Sequence, residues 1–390
     1  MRVVLVHDWL TGMRGGERVL ERLCAMFPGA PIHTLLWNRG TVSSRIEAHE
    51  IHTSILQWLP GVRRHYRWFL PLFPRAIRSL RVGECDVVIS LSHCAAKAIR
   101  VPARAFHLSY VFTPMRYVWE LEDQYFPPGR FPWPASGYVR RTCARLRTWD
   151  VATSRGPQAM VAISRHVAAR IARHYGREAR VIYPPVELRR FSAEPGDRDG
   201  YLLAGAFAPY KRADLAIEAC RRLGRPLTVV GTGQDEPRLR ELAGSNAEFL
   251  GWVSDDRMAE LYRRARALIF PGEEDFGIVP LEALASGCPV IALGRGGAVE
   301  TVGRGAPAPD LSRVAEGGMA AVPGGVLFGT QSVEALCEAI RESERHCFAP
   351  ETLRRLAEPF DAARFDQEFR SVLEREYAGW RAGAARAVHS

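Results

Sequence analysis

Two glutamates eight positions apart, Glu274 and Glu282, lie in the run Phe270-Pro271-Gly272-Glu273-Glu274-Asp275-Phe276-Gly277-Ile278-Val279-Pro280-Leu281-Glu282-Ala283. The apolar residues ahead of Pro271 read as a strand and those after Gly277 as a helix, so one carboxylate precedes the helix and the other lies inside it. A glycosidase acid/base pair holds its carboxyls roughly 5–10 Å apart across one bond. Two separate contacts along a longer ligand suit this placement better. Between the glutamates, the amides of Phe276, Gly277 and Ile278 fall at a helix N-terminus, where unpaired N–H groups and the helix dipole meet sugar hydroxyls or a phosphate. A second loop of this sort, His7-Asp8-Trp9-Leu10-Thr11-Gly12-Met13-Arg14-Gly15-Gly16-Glu17, places Gly15 and Gly16 ahead of a helix. It reads either as a phosphate seat or as a tight turn that needs small residues. It is not G-x-G-x-x-G, and the second strand ends Trp37-Asn38-Arg39 without the acidic residue that binds an NAD ribose. A dehydrogenase is excluded on both counts.

The elements that must position these residues alternate along the whole chain. Strands are expected at Arg2–Val6, Ile32–Leu36, Asp86–Ser90, Ala105–Tyr110, Met160–Ile163 and Arg180–Tyr183, with an amphipathic helix over Gly16–Phe27. A polar Pro/Gly segment, 192–200, marks a domain boundary. Beyond it the strands Tyr201–Gly205, Leu227–Gly231, Glu248–Leu250, Ala267–Phe270 and Pro289–Leu293 alternate with helices at Ala213–Leu223, Pro237–Ala243, Asp255–Arg264, Val279–Ser286 and Ala298–Val302. Strands separated by helices of this length imply right-handed βαβ units and parallel sheets. The expected α/β architecture is therefore two Rossmann-like domains facing each other across a cleft, 1–191 and 200–363. Of the last helices, Ser332–Glu344 and Arg364–Tyr377, the second crosses back to the first domain over about 364–390.

Composition fits that reading. The chain has 390 residues, 47% apolar and 25% charged, with 53 Lys and Arg against 43 Asp and Glu, a net charge of +10. That is a globular balance and not a disordered one. The charge is uneven: residues 1–190 carry 29 basic and 13 acidic side chains, residues 191–390 carry 24 and 30. Two domains with different partners follow. Lys97 and Lys211 are the only lysines. No run of 18 apolar residues exists, no signal peptide opens the chain, and the eight cysteines contain no C-x-x-C. The expectation is a cytoplasmic protein with reduced, mostly buried thiols and no metal site.

The run from Glu274 to Glu282 resembles the E-x7-E hallmark of retaining group 1 glycosyltransferases of the GT-B architecture, written there E-G-F-G-x-x-x-x-E. Tyr201–Ala216 (YLLAGAFAPYKRADLA), Gly251–Leu261 and Gly287–Val302 match further family blocks in order. The resemblance implies that Glu274 contacts the donor sugar, that Glu282 holds the ribose hydroxyls, and that Lys211 neutralises the diphosphate leaving group, with Arg212 beside it. Val3–Leu20, Ile89–Lys97 (ISLSHCAAK) and Thr113–Trp119 (TPMRYVW) narrow it to the branch of bacterial O-antigen and exopolysaccharide mannosyltransferases. That branch implies GDP-mannose as donor and a polyprenyl-diphosphate-linked glycan as acceptor, with no cofactor besides the nucleotide-sugar substrate. Two positions depart from the broader family: Phe112 stands where a histidine often touches the donor sugar, and Ala206 where an arginine often assists the lysine. Phe112 donates no hydrogen bond and Ala206 carries no charge. A 6-deoxy donor of the GDP-rhamnose type, or a UDP-sugar, therefore stays open.

Transfer with retention, as the resemblance implies, needs preorganised charge more than covalent chemistry. Lys211 and the Gly15-Gly16 loop are the candidates to meet charge developing on the departing diphosphate. The single D-x-D, Asp197-Arg198-Asp199, sits in the linker and not after a strand, which argues against metal dependence. Residues 57–81 (QWLPGVRRHYRWFLPLFPRAIRSLR) hold six arginines, no acid, and interleaved Trp58, Tyr66, Trp68, Phe69 and Phe73. A second acid-free basic stretch is Gly129–Trp149. Such segments suit an anionic membrane surface, which would place the protein on the inner face of the cytoplasmic membrane. Nucleic acid is the rival partner, but no helix-turn-helix, RNA-recognition or zinc-finger signature accompanies the charge, and none is expected to bind.

Overall fold

The computed structural model of the chain describes residues 1–127, 134–194 and 197–388. Contacts divide it into two units, Met1–Pro185 with Phe365–Ser390, and Val186–Arg364.

In the first unit the short apolar runs become strands, the central five buried on both faces as a parallel sheet requires and the two edge strands partly exposed. They are β1 (Val3–His7), β2 (Ile32–Thr34), β3 (Ile51–Thr53), β4 (Val87–Ser92), β5 (Phe106–Val111), β6 (Ala159–Ala162) and β7 (Arg180–Val181), in the order β3-β2-β1-β4-β5-β6-β7. Every pairing is parallel. The order reverses between β1 and β4, which is the topological switch point of the sheet. Strand β3 has no counterpart in the sequence reading, because its three residues form a half-exposed edge without an apolar run. The helix after β1, α1 (Gly15–Met26), buries Val19, Leu20 and Leu23. The last helix, Ala362–Val388, is longer than expected. From Phe365 on it belongs to the first unit, where Phe365 and Phe369 pack on Tyr110 and Arg22 pairs with Asp366.

Buried polar groups in this unit are matched with care. The Asp8 carboxylate, with no exposed surface, accepts from the amides of His93 (2.7 Å), Cys94 (2.9 Å), Ala95 (2.5 Å) and Ala96 (2.7 Å). His93 Nδ1 lies 3.0 Å away as well. Burial by itself would raise the pKa of this group; His93 and the amides outweigh it and hold the carboxyl well below the usual range. Lys97, buried, pairs with Asp150, whose second oxygen accepts from Trp119 Nε1 and Tyr175 Oη at 2.9 Å each. One of the two lysines is thus a core ion pair.

In the second unit β8 (Tyr201–Ala204), β9 (Leu227–Val230), β10 (Ala247–Gly251), β11 (Ala267–Phe270), β12 (Val290–Leu293), β13 (Met319–Val322) and β14 (Gly325–Phe328) form a sheet ordered β10-β9-β8-β11-β12-β14-β13. Only β13 and β14 pair antiparallel, turning at Pro323-Gly324. This hairpin was not expected from a charge-free tract full of glycine. The unit begins at Val186, ahead of the 192–200 segment, for a physical reason. Val186 N donates to Phe360 O, Arg354 donates to Phe191 O, and Phe191 packs on Tyr262. Residues 186–191 therefore belong to the second core, and the polar segment that follows is a surface passage within it. Pro195 and Gly196 of that segment lie outside the described residues, as do residues 129–133 of the second basic stretch.

His107, wholly buried on β5, meets Ser90 Oγ through Nε2 at 2.9 Å, and Ser90 donates to Ser109 at 3.0 Å. Burial first, then Arg177, lowers its pKa to about 3. The folded chain keeps His107 neutral where the unfolded chain, with its histidine near pH 6.5, takes up a proton. Stability is therefore lost as the pH falls from about 6.5 toward 3, by about 1.4 kcal/mol per pH unit. We expect urea unfolding between pH 7 and pH 5 to show a loss about 2 kcal/mol larger in the parent than in His107→Gln. Equal pH slopes in the two proteins would refute this assignment.

Candidate functional site

The switch point of the second sheet lies between β8 and β11, and open parallel sheets bind ligands beyond the carboxyl ends of their strands at that point. Here it is lined by the residues following both strands: Gly205, Ala206 and Phe207 after β8, Pro271, Gly272 and Glu274 after β11, with Lys211. The chain gets Lys211 there by a tight path. Pro209–Lys211 form a single 3₁₀ turn, and Arg212 follows at φ 54°, the only described non-glycine residue in the left-handed region. That conformation costs an L-residue about 1–2 kcal/mol, and strain of this kind gathers at functional sites. Gly272 lets the two loops meet: a Cβ there would stand 2.7 Å from Lys211 Cα and 2.8 Å from its carbonyl oxygen. Gly296 does the same behind Glu274, where a Cβ would fall 2.3 Å from the Glu274 carbonyl.

The result is an ion pair, Lys211 Nζ to Glu274 Oε1 at 2.7 Å, with the two side chains 25% and 19% exposed. Partial exposure leaves both charges within reach of a ligand while solvent screening stays incomplete. A pocket offering an ammonium and a carboxylate side by side can bind a polyanion through the first and hydroxyls through the second.

The other expected site residues take different places. Arg212 turns to Asp214, with Nε 3.1 Å from Oδ1 and Nη2 3.1 Å from Oδ2, and does not line the Lys211 pocket. This neighbouring carboxylate holds the guanidinium. Glu282 is 9% exposed and accepts from Tyr262 Oη at 3.0 Å. It lies inside the helix Ile278–Ala285, outside the pocket that holds Glu274. Phe276 is buried and packs on Phe360, while Gly277 caps the helix at φ 88° and Ile278 is its first residue. Gly15 and Gly16 open α1 in the first unit. Asp197 and Asp199 precede β8, and among the described residues no group of three or more His, Cys, Asp or Glu is arranged to hold a metal ion.

Sequence reasoning missed the glycines that let the loops touch. Their only signal was composition: GAF after β8, PGEE after β11 and GRGG after β12 each place glycine directly past a strand. It also missed Asp8 and His7, which stand in a quoted motif but reveal their partners only in three dimensions.

Residues 198–344 match the sequence profile described as glycosyl transferases group 1. Among curated proteins, the chain is 33% identical over 172 residues to a D-inositol 3-phosphate glycosyltransferase of Geodermatophilus obscurus, covering 34% of this chain and 37% of that one. It is 32% identical over 99 residues to the O-antigen chain mannosyltransferase C of Escherichia coli, covering 24% and 27%. The matches thus span about a third of the length of these relatives. Among solved structures, the sucrose-phosphate synthase of Thermosynechococcus elongatus shares the fold at a TM-score of 0.69 and 16% identity, over 97% of this chain and 100% of that one. HepE of Anabaena in complex with UDP-glucose does so at 0.68 and 16%, over 96% and 99%. The chain shares with them the GT-B fold of two Rossmann-like domains.

The Lys211–Glu274 pair sets a testable competition. Glu274→Gln removes the carboxylate that competes for the ammonium, so a nucleoside diphosphate should bind about 3–10-fold more tightly. Lys211→Ala should weaken it about tenfold or more, the ion-pair scale for a partly exposed charge. Isothermal titration with GDP and UDP checks both. Weaker binding in Glu274→Gln would show that the carboxylate serves the nucleotide.

Proposed function

We propose that the chain is a glycosyltransferase that moves a hexose from a nucleoside-diphosphate sugar, with mannose from GDP-mannose as its donor and a polyprenyl-diphosphate-linked glycan as its acceptor. The observation that carries this reading is the Lys211–Glu274 pair at the switch point of a group 1 glycosyltransferase domain. Lys211 neutralises the departing diphosphate, and Glu274 orients the donor sugar. Glu282, held by Tyr262, takes the ribose hydroxyls, and the amides of Phe276, Gly277 and Ile278 add the dipole of a helix N-terminus. The choice of mannose rests on the similarity to the E. coli mannosyltransferase and on the first-domain motifs. Ala206 lines the pocket without charge, which keeps a 6-deoxy or UDP-linked donor as the alternative.

In this reading the configuration is retained. Charge that develops on the diphosphate is met by Lys211, more strongly in the transition state than before it. A departing phosphate oxygen takes the acceptor proton, so neither a dedicated base nor a metal is called for. The first unit binds the acceptor at a membrane surface. In 57–81 the structure sorts the aromatics: Tyr66 and Phe73 pack on Trp9 in the core, whereas Trp58 and Trp68 are each 82% exposed. Ile55 and the arginines at 63, 64, 75, 78 and 81 are exposed as well. Exposed tryptophans among arginines match the headgroup zone of an anionic bilayer, and no helix among the described residues is long and apolar enough to cross a membrane.

A thermal-shift panel of GDP-, UDP-, dTDP- and ADP-sugars tests the donor. At 100 times its dissociation constant the right ligand stabilises by about 2.7 kcal/mol, and GDP-mannose should stand apart. With that donor, Lys211→Ala should turn over about 10²–10³ times more slowly while remaining folded. A silent panel would refute the transferase reading. For the membrane, Trp58→Ser and Trp68→Ser with Arg63→Ser and Arg64→Ser should cut co-sedimentation with phosphatidylglycerol vesicles at low salt by about tenfold or more. Each arginine near such a surface contributes about 1 kcal/mol. Unchanged co-sedimentation would make the segment purely structural.

A further inference from the structure

The first sheet has its own switch point, between β1 and β4, and His7 ends β1 there. Its side chain has no exposed surface. Nδ1 lies 3.0 Å from the carbonyl oxygen of Trp9. A carbonyl only accepts, so Nδ1 carries the proton. Burial, the leading influence, lowers the pKa of the ring below its ordinary value and keeps it neutral. Nε2 is then a bare lone pair, and among the described residues no donor reaches it. A buried acceptor without a donor costs about 1–3 kcal/mol. The position calls for an occupant that donates.

Its surroundings narrow the kind of donor. Nε2 is aimed at Gly16, in the first turn of α1: a Cβ on Gly16 would come within 3.3 Å of Nε2 and within 3.3 Å of Phe112 Cε2. The rings of His7, His93 and Phe112 frame the place as a near-equilateral triangle, with centroids 6.4, 6.3 and 6.3 Å apart. His93 itself is turned to Asp8. An anion that only accepts, such as sulfate, would set lone pair against lone pair at Nε2. A hydroxyl donates to Nε2 and can still accept from an N–H of the helix N-terminus, which has unpaired amides to offer. Aromatic walls around one convergent polar atom are the make-up of a small-molecule subsite.

We propose that His7 Nε2 accepts a hydrogen bond from a hydroxyl of a neutral carbohydrate, at a subsite framed by Gly16, His93 and Phe112. This rests on the transferase reading for the role of that carbohydrate as acceptor. His7 is then a positioning residue for the acceptor hydroxyl. Nε2 is closed to water in the free chain, and a side chain at Gly16 would crowd the approach to it.

Nitrogen NMR of the full chain labelled with 15N-histidine tests the proposal, with methyl α-D-mannopyranoside as the probe and sulfate as the control. The expected result is a His7 ring protonated at Nδ1 whose Nε2 resonance moves toward its hydrogen-bonded position with the glycoside and not with sulfate. Gly16→Ala should keep the tautomer and lose the response. An Nε2–H tautomer, a response to sulfate, no response to the glycoside, or an Nε2 already bonded to water and unmoved by the glycoside would each overturn the proposal. In transfer assays to the same glycoside, His7→Phe should raise the acceptor KM about tenfold, the loss of one hydrogen bond. His7→Gln, which restores an acceptor, should recover most of it, and the thermal shift with donor nucleotide should be unchanged in both. An unchanged acceptor KM in folded His7→Phe also overturns it. The two readings fail separately: a glycoside response with a silent nucleotide panel sinks the transferase reading, and a responsive panel without it sinks the subsite.

Discussion

One buried carboxylate holds the functional rim of the first unit in place. Asp8 follows β1 directly, and its two oxygens take four successive amides of the turn after β4. These strands flank the switch point, where the crossovers diverge and no continuous ladder closes the gap. Without Asp8 the turn would carry four orphaned N–H groups in the interior, and each buried unsatisfied donor costs about 1–3 kcal/mol. The pairing also orients His93, and with it one wall of the place beside His7. The turn after β4 and the orientation of His93 depend on that anchor.

The second unit closes its rim differently. Its rim is closed by backbone-to-backbone approach, possible because Gly272 and Gly296 have no side chains. The charges are left at the surface of the pocket, a quarter or less exposed, and paired with each other. A partly exposed pair is worth little to stability and leaves both charges within reach of a ligand. Lys97 shows the opposite arrangement: its ammonium is enclosed by Asp150 and two aromatic rings, and it serves the core. The two lysines of an arginine-rich chain thus divide between structure and site.

The strand-helix alternation was legible because parallel strands are buried on both faces and so appear as uninterrupted apolar runs between amphipathic helices. Edges were not. β3 is half exposed, and the β13–β14 hairpin lies in a glycine-rich tract, so neither carries the periodic signal. The Glu274-to-Glu282 spacing placed one carboxylate before a helix and the other within it, as found. It could not show that Glu274 pairs with Lys211 while Glu282 turns to Tyr262, because Lys211 comes from the turn after β8 and Tyr262 from the helix Asp255–Arg264, both outside the segment.

The sequence by itself determined the class of the fold, the strand-loop-helix setting of each motif, and the residue types available to meet a diphosphate. These follow from local periodicity and from glycine and charge placed just past strands. Only the tertiary structure decided what each polar group does. Arg212 is captured by Asp214 two residues on, Lys97 is buried, and 57–81 splits into core and exposed aromatics. His7 emerges as a lone-pair acceptor only when Trp9 O fixes its tautomer and Gly16 faces its other nitrogen. The physical reason is that a side chain's charge state and partners are set by burial and by neighbours distant in sequence, and no spacing rule encodes either.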